Sequence, residues 1–80
     1  MQTVGQRLEA ARRRRVMTQA EVAQAAGVSL VTVSRLENDI GSASPRPITV
    51  RRVAEAVGVD PAWLMFGDDL EEVGAKKLAA

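Results

Sequence analysis

The side chains of this sequence best suited to chemistry are its arginines. Nine lie within residues 1–60 against six carboxylates, a local +3, while residues 61–80 hold four carboxylates and two lysines, a local −2. The overall charge of +1 conceals that asymmetry. Arginine's planar fork of donors matches phosphate oxygens and the O6/N7 edge of guanine, so the chemistry offered is anion binding and base-edge recognition. The excess is mild and supports such a role without establishing it. Covalent chemistry is poorly provided for. The sequence has no histidine, cysteine or tyrosine, which removes the usual general base, the thiolate nucleophile and the commonest metal ligands. Serines, lysines and carboxylates are present, but no motif arranges them around a cleft. Asp68-Asp69 and Glu71-Glu72 read as a solvated acidic tail. An enzyme, a metal site or a cofactor is therefore not expected.

The stretch that must position these arginines is Thr18 to Asn38. Thr18 and Glu21 form a T-x-x-E capping box that starts a helix at Gln19, with Met17 and Val22 as its hydrophobic staple. Gly27 stands where a left-handed residue ends that helix. Ser29 can cap a second helix over 29–37, with Val28 and Val33 repeating the staple. Two short helices joined by a glycine-containing turn form a helix-turn-helix, whose second helix lies in the DNA major groove. Val22, Ala23 and Ala26 mark the buried face of the first helix, and Val33 and Leu36 that of the second. The outer side of the second helix carries Leu30, Val31 and Arg35. Leu30 and Val31 are unusual there. Either one tucks under the preceding helix, or both meet thymine methyl groups, the apolar feature of the major groove.

The rest of the chain reads as three more helices. Thr3 and Gln6 make a capping box for helix 1, buried through Val4, Leu8 and Ala11. Arg12-Arg13-Arg14-Arg15 follows, either a solvated helix end with cations at the negative pole of the dipole or a set of phosphate contacts. Thr49 is expected to cap helix 4, with Ile48 and Val53 as staple and Val50, Val53, Ala54 and Val57 inward. Gly58 ends it, and Asp60-Pro61 opens helix 5. Trp63 and Phe66 are the only aromatic residues, so the core is aliphatic and thin. No apolar run approaches the ~20 residues that span a bilayer, and Met1 to Arg7 lacks a signal-peptide core, so a cytoplasmic location is expected.

Gln19-Ala20-Glu21-Val22-Ala23, Gly27-Val28-Ser29 and Val33-Ser34-Arg35-Leu36-Glu37-Asn38, followed by Val59-Asp60-Pro61-Ala62-Trp63-Leu64, resemble the phage repressor and Cro-type (XRE-like) helix-turn-helix transcriptional regulators. The resemblance spans about residues 4–67. It implies an all-α fold, a compact five-helix bundle of the lambda-repressor-like DNA-binding type with helices 2 and 3 as the motif. Residues 1–67 would be that domain and 68–80 an acidic then basic tail, in which Lys77 to Ala80 resembles residues left by a cloning vector. The resemblance puts base-reading side chains at Leu30, Val31 and Arg35. For Arg46 it implies contact with the DNA backbone or the minor groove, as basic residues of this loop make in the family. Gln19 begins helix 2, where both its N–H and its side chain can meet the DNA backbone, with Asn38 and Arg46 gripping it on the other side and Ser29 or Thr32 assisting. The resemblance implies an ion pair between Arg12 and Glu37. It also sets Trp63, Leu64 and Phe66 at a dimer interface, although a lone Trp is more often a core plug. Two departures stand out. The family usually has glycine near Val16, which implies a differently shaped turn, and glycine where this chain has Asp39, a residue that adopts the left-handed conformation more easily than most.

The function so implied is sequence-specific double-stranded DNA binding by a transcriptional repressor, a homodimer on a pseudo-palindromic operator. Eighty residues leave no room for a ligand-sensing second domain, so control is expected from its own level, a partner or competing operators. The competing class is an antitoxin or accessory regulator whose main role is binding a partner protein of unknown identity, with Leu30 and Val31 as its sticky patch. Salt separates the two, because releasing counterions from DNA makes binding fall steeply as salt rises.

Overall fold

A computed structural model describes residues 2–40 and 45–67 of the chain. The expectations placed on the tail, 68–80, lie outside the described residues. Five helices follow in order: α1 Val4–Arg14, α2 Gln19–Ala26, α3 Leu30–Glu37, α4 Pro47–Val57 and α5 Pro61–Phe66. There is no strand among the described residues.

Local signals account for most boundaries. Thr3 accepts from the Gln6 N–H and Gln6 returns a bond to the Thr3 N–H, closing one capping box; Thr18 and Glu21 close the second. Gly27 ends α2 at φ 69°, a left-handed conformation that a Cβ disfavours. Ser29 caps α3 by accepting the Thr32 N–H at 3.1 Å, and Asp60 caps α5 by accepting the Ala62 N–H at 2.9 Å.

Helix 4 departs from expectation. It begins at Pro47, with Arg46 as N-cap and no side-chain cap bond, two residues before the Thr49 cap read from the sequence. Pro47 explains the shift: its locked φ suits the first helical position, where the missing N–H is not needed. Ile48 is consequently exposed and staples nothing. Val16 also corrects an expectation. The turn after α1 keeps a left-handed residue, and Val16 itself supplies it at φ 54°. Asp39 adopts the same φ of 54°, in line with its ordinary tolerance of that region.

The core is aliphatic: Leu8, Ala11, Val22, Ala23, Ala26, Val33, Val50, Val53, Ala54, Val57 and Leu64 form one buried cluster. The alanines let helices approach closely, which leaves α3 held by α2 on one side and α1 on the other. Val4, Met17, Val28, Leu36 and Trp63 pack around the cluster as partly buried residues.

Candidate nucleic-acid interface

One carboxylate fixes α3. Glu37, buried at its C-terminal end, accepts Arg12 Nε at 2.6 Å, Arg12 Nη2 at 3.0 Å and Gln19 Nε2 at 3.2 Å. Arg12 spends its remaining reach on the Met17 carbonyl at 2.9 Å. Carboxylate and guanidinium thus pair in the bidentate fork geometry, which is directional as well as strong. The hydrogen bonds that Arg12 donates to Glu37 raise the Arg12 pKa above its ordinary value, so the cation is permanent. Three elements, α1, the start of α2 and the end of α3, meet at this group.

With its inner face held, α3 presents the other face outward. Leu30 is 50% exposed and Val31 59%, so half or more of each side chain is open to solvent. Leu30 is thus not buried under α2. Arg35, one turn after Val31, is exposed and has no side-chain hydrogen bond or ion pair among the described residues. The Ser29 and Thr32 hydroxyls lie 2.9 Å apart beside the helix start. Asn38, at the other end, donates from Nδ2 to the Ser34 carbonyl at 2.8 Å. Arg46 is exposed at the N-cap of α4. Arg35 and Arg46 come together on the wall of an open cleft of about 590 Å³, shared with Leu36, Ile40, Met65 and Phe66.

The Gln19 side chain donates one Nε2–H to Glu37 and keeps its Oε1 and second amide hydrogen, beside the backbone N–H at the first position of α2. One expected role is corrected. Leu64 is 1% exposed and belongs to the core, because α5 is short and turns this residue onto α1 and α4; it has no surface to give a partner. Phe66 is exposed and Trp63 half-buried.

The match to known proteins now decides the family. The family model described as Helix-turn-helix covers residues 8–64. The chain belongs to the helix-turn-helix family. Among curated relatives, the HTH-type transcriptional repressor RghR of Bacillus subtilis (strain 168) is 35% identical over 66 residues, 82% of this chain and 48% of that protein. The chain spans about half the length of that relative. The crystal structure of the P22 c2 repressor protein in complex with synthetic operator 9T matches with a TM-score of 0.74 at 27% identity, covering 84% of this chain and 98% of that one. The solution structure of the P22 c2 repressor DNA-binding domain matches at 0.73 and 28% identity, with 84% and 86% covered. The restriction-modification controller protein C.AhdI from Aeromonas hydrophila shares the fold, at 0.68 and 24% identity over 78% of this chain and 91% of that one.

In this helix-turn-helix chain three supporting residues escaped the sequence reading. Arg7 is buried, and donates from Nε to the Leu64 carbonyl and from Nη2 to the Met65 carbonyl, both at 2.9 Å, clipping α5 onto α1. Its signal was visible: position 7 falls on the apolar stripe of 4, 8 and 11. Asp39 accepts the Gly5 N–H at 3.0 Å and the Thr3 hydroxyl at 2.7 Å, so the end of α3 caps the start of α1. Gly5 makes that approach feasible, since a Cβ there would lie 2.5 Å from the carbonyl oxygens of Leu36 and Glu37. Among the described residues no cluster of ligating side chains could hold a metal ion, and no helix is long and apolar enough to cross a membrane.

Proposed function

We propose that this domain binds double-stranded DNA with α3 in the major groove and acts as a homodimeric transcriptional repressor on a pseudo-palindromic operator. One observation carries the reading: Leu30, Val31 and Arg35 project from the free face of a helix whose other face is clamped through Glu37. A rigidly held helix with an arginine fork that has no partner among the described residues is what base recognition requires, because a loose reader loses discrimination to ordering entropy. The similarity to the P22 c2 repressor in complex with an operator supports it. Leu30, Val31 and Arg35 read base edges. The Gln19 N–H at the positive end of α2, with Asn38, Arg46, Ser29 and Thr32, holds the backbone.

Selection of bound sites from a random DNA pool tests the proposal, followed by Arg35→Ala on the selected site. Arg35→Ala is expected to lose roughly 1–3 kcal/mol and to relax the choice at a single base pair. An affinity drop with an unchanged ratio of specific to nonspecific binding would make Arg35 a phosphate contact instead. The alternative, a partner-protein module using Leu30 and Val31, is separated by salt: DNA binding is expected to weaken steeply as salt rises, an apolar protein contact hardly at all.

A further inference from the structure

Leu30 and Val31 are neighbours in the first turn of α3, each half or more exposed, and neither side chain carries a hydrogen-bond donor or acceptor. On the proposed DNA-reading face such a pair is blind to most of the major-groove code. It cannot tell an O4 acceptor from an N4 donor. The one base feature it rewards is a methyl group at C5 of a pyrimidine, which removes apolar surface from water on contact. Thymine has that methyl, and 5-methylcytosine carries it on the same ring atom. We infer that the Leu30–Val31 pair reads the C5-methyl group rather than the base, so that cytosine C5 methylation in the half-site strengthens binding and makes this regulator responsive to DNA methylation. The inference rests on the DNA-binding reading above.

The polar residues nearby do not undo this selectivity. Ser29 and Thr32 hydroxyls are turned toward each other at 2.9 Å, and Ser29 is further committed to the Thr32 N–H. Arg35 lies a full turn beyond the pair along α3, far enough that its fork would meet a separate base pair. The apolar patch is therefore its own recognition element, and its two side chains are large enough to cover one or two methyl groups.

The test uses two base-pair exchanges that change only the methyl. On a site selected from the random pool, each T·A pair is replaced in turn by U·A, which deletes the methyl and nothing else in the groove. At the position so identified, C·G is then compared with 5-methylcytosine·G, which adds only the methyl. Full burial of one methyl corresponds to about fourfold in affinity, ~0.8 kcal/mol at 1.4 kcal/mol per decade. The expected result is a loss of about that size from T to U and a gain of similar size from C to 5-methylcytosine. Replacing Leu30 and Val31 together by serine is expected to abolish both differences with helix content unchanged, since both side chains are exposed. Arg35→Ala should lower affinity on all four sites and keep the ratios. Equal binding to T and U, equal binding to C and 5-methylcytosine, or differences that survive the double serine variant would overturn the inference while leaving DNA binding standing. A pool that yields no enriched sequence would overturn the DNA-reading proposal itself, and this inference with it.

Discussion

At the scale of single residues, the decisive group is Glu37. Its side chain is 4% exposed and its carboxylate takes three donors, so losing its charge strands Arg12 in a partly buried site. Breaking such a pair by removing one partner costs about 3 kcal/mol. Glu37→Gln is expected to lower the melting temperature by roughly 10 °C or more in an 80-residue domain, whereas Glu55→Gln, on the exposed side of α4, should leave it nearly unchanged. Equal melting temperatures for the two variants would show that the pair contributes little. The surface pair of Arg13 with Glu9 at 2.7 Å is no substitute, because both groups are solvated. The Arg12–Glu37 partnership was legible through the family resemblance. The Gly5 contact was not, because it depends on residues more than thirty positions away. Gly5→Ala should drive a Cβ against the Leu36 and Glu37 carbonyls and destabilise by about 1–3 kcal/mol, despite alanine's better helix propensity. A stabilised Gly5→Ala protein in denaturant titration would refute the close approach.

At the scale of elements, caps and glycines placed the starts of α1, α2, α3 and α5 and the end of α2 almost to the residue, since those signals act locally. Helix 4 was misjudged because two capping rules competed, and proline's fixed φ outweighed a threonine hydroxyl at position 49. Val16 shows the opposite limit: the turn demanded a left-handed residue and the chain supplied a valine, 89% exposed. A β-branched residue there costs about 1–2 kcal/mol, partly offset by glycine's larger unfolded entropy. Val16→Gly is thus expected to stabilise by about 0.5–1 kcal/mol; destabilisation on thermal melting would contradict the strain. The α2 capping box carries a pH signature. The Thr18 N–H and hydroxyl hold the Glu21 carboxyl below its ordinary value of 4.5. A carboxylate depressed on folding binds fewer protons in the native state, so its contribution is complete above that value and fades as pH falls through the depressed one. The stability gap between wild type and Glu21→Gln should be present at neutral pH and shrink as the pH drops below 4.5. A gap independent of pH would mean that the charge plays no part in the cap.

At the scale of the whole molecule, the question is how a bundle with one short α3 would obtain the operator affinity proposed for it. A single α3 of eight residues touches only a few base pairs, so we propose that two copies bind together. Their recognition helices would then enter successive major grooves roughly 34 Å apart, on half-sites about one helical turn from centre to centre. The surface for pairing follows from what α5 leaves outside. Leu64 is spent on the core, but Phe66 is 54% exposed and lines the same open cleft as Ile40, itself 62% exposed, and Trp63 is only partly covered. An exposed aromatic on a short helix can anchor a small interface. Phe66→Asp places a charge in that contact without touching the buried cluster, so the monomer should keep its helix content and its melting profile at low concentration. Binding to a full operator is expected to fall to the level of an isolated half-site, and the complex should contain one protomer by light scattering. Arg46→Ala, by contrast, should leave pairing intact and reduce the slope of log affinity against log salt by about one unit per protomer, as befits a lost phosphate contact. If wild type itself protects a single asymmetric half-site with one protomer bound, or if Phe66→Asp still loads two protomers with full affinity, the pairing surface lies elsewhere and α5 serves the core alone.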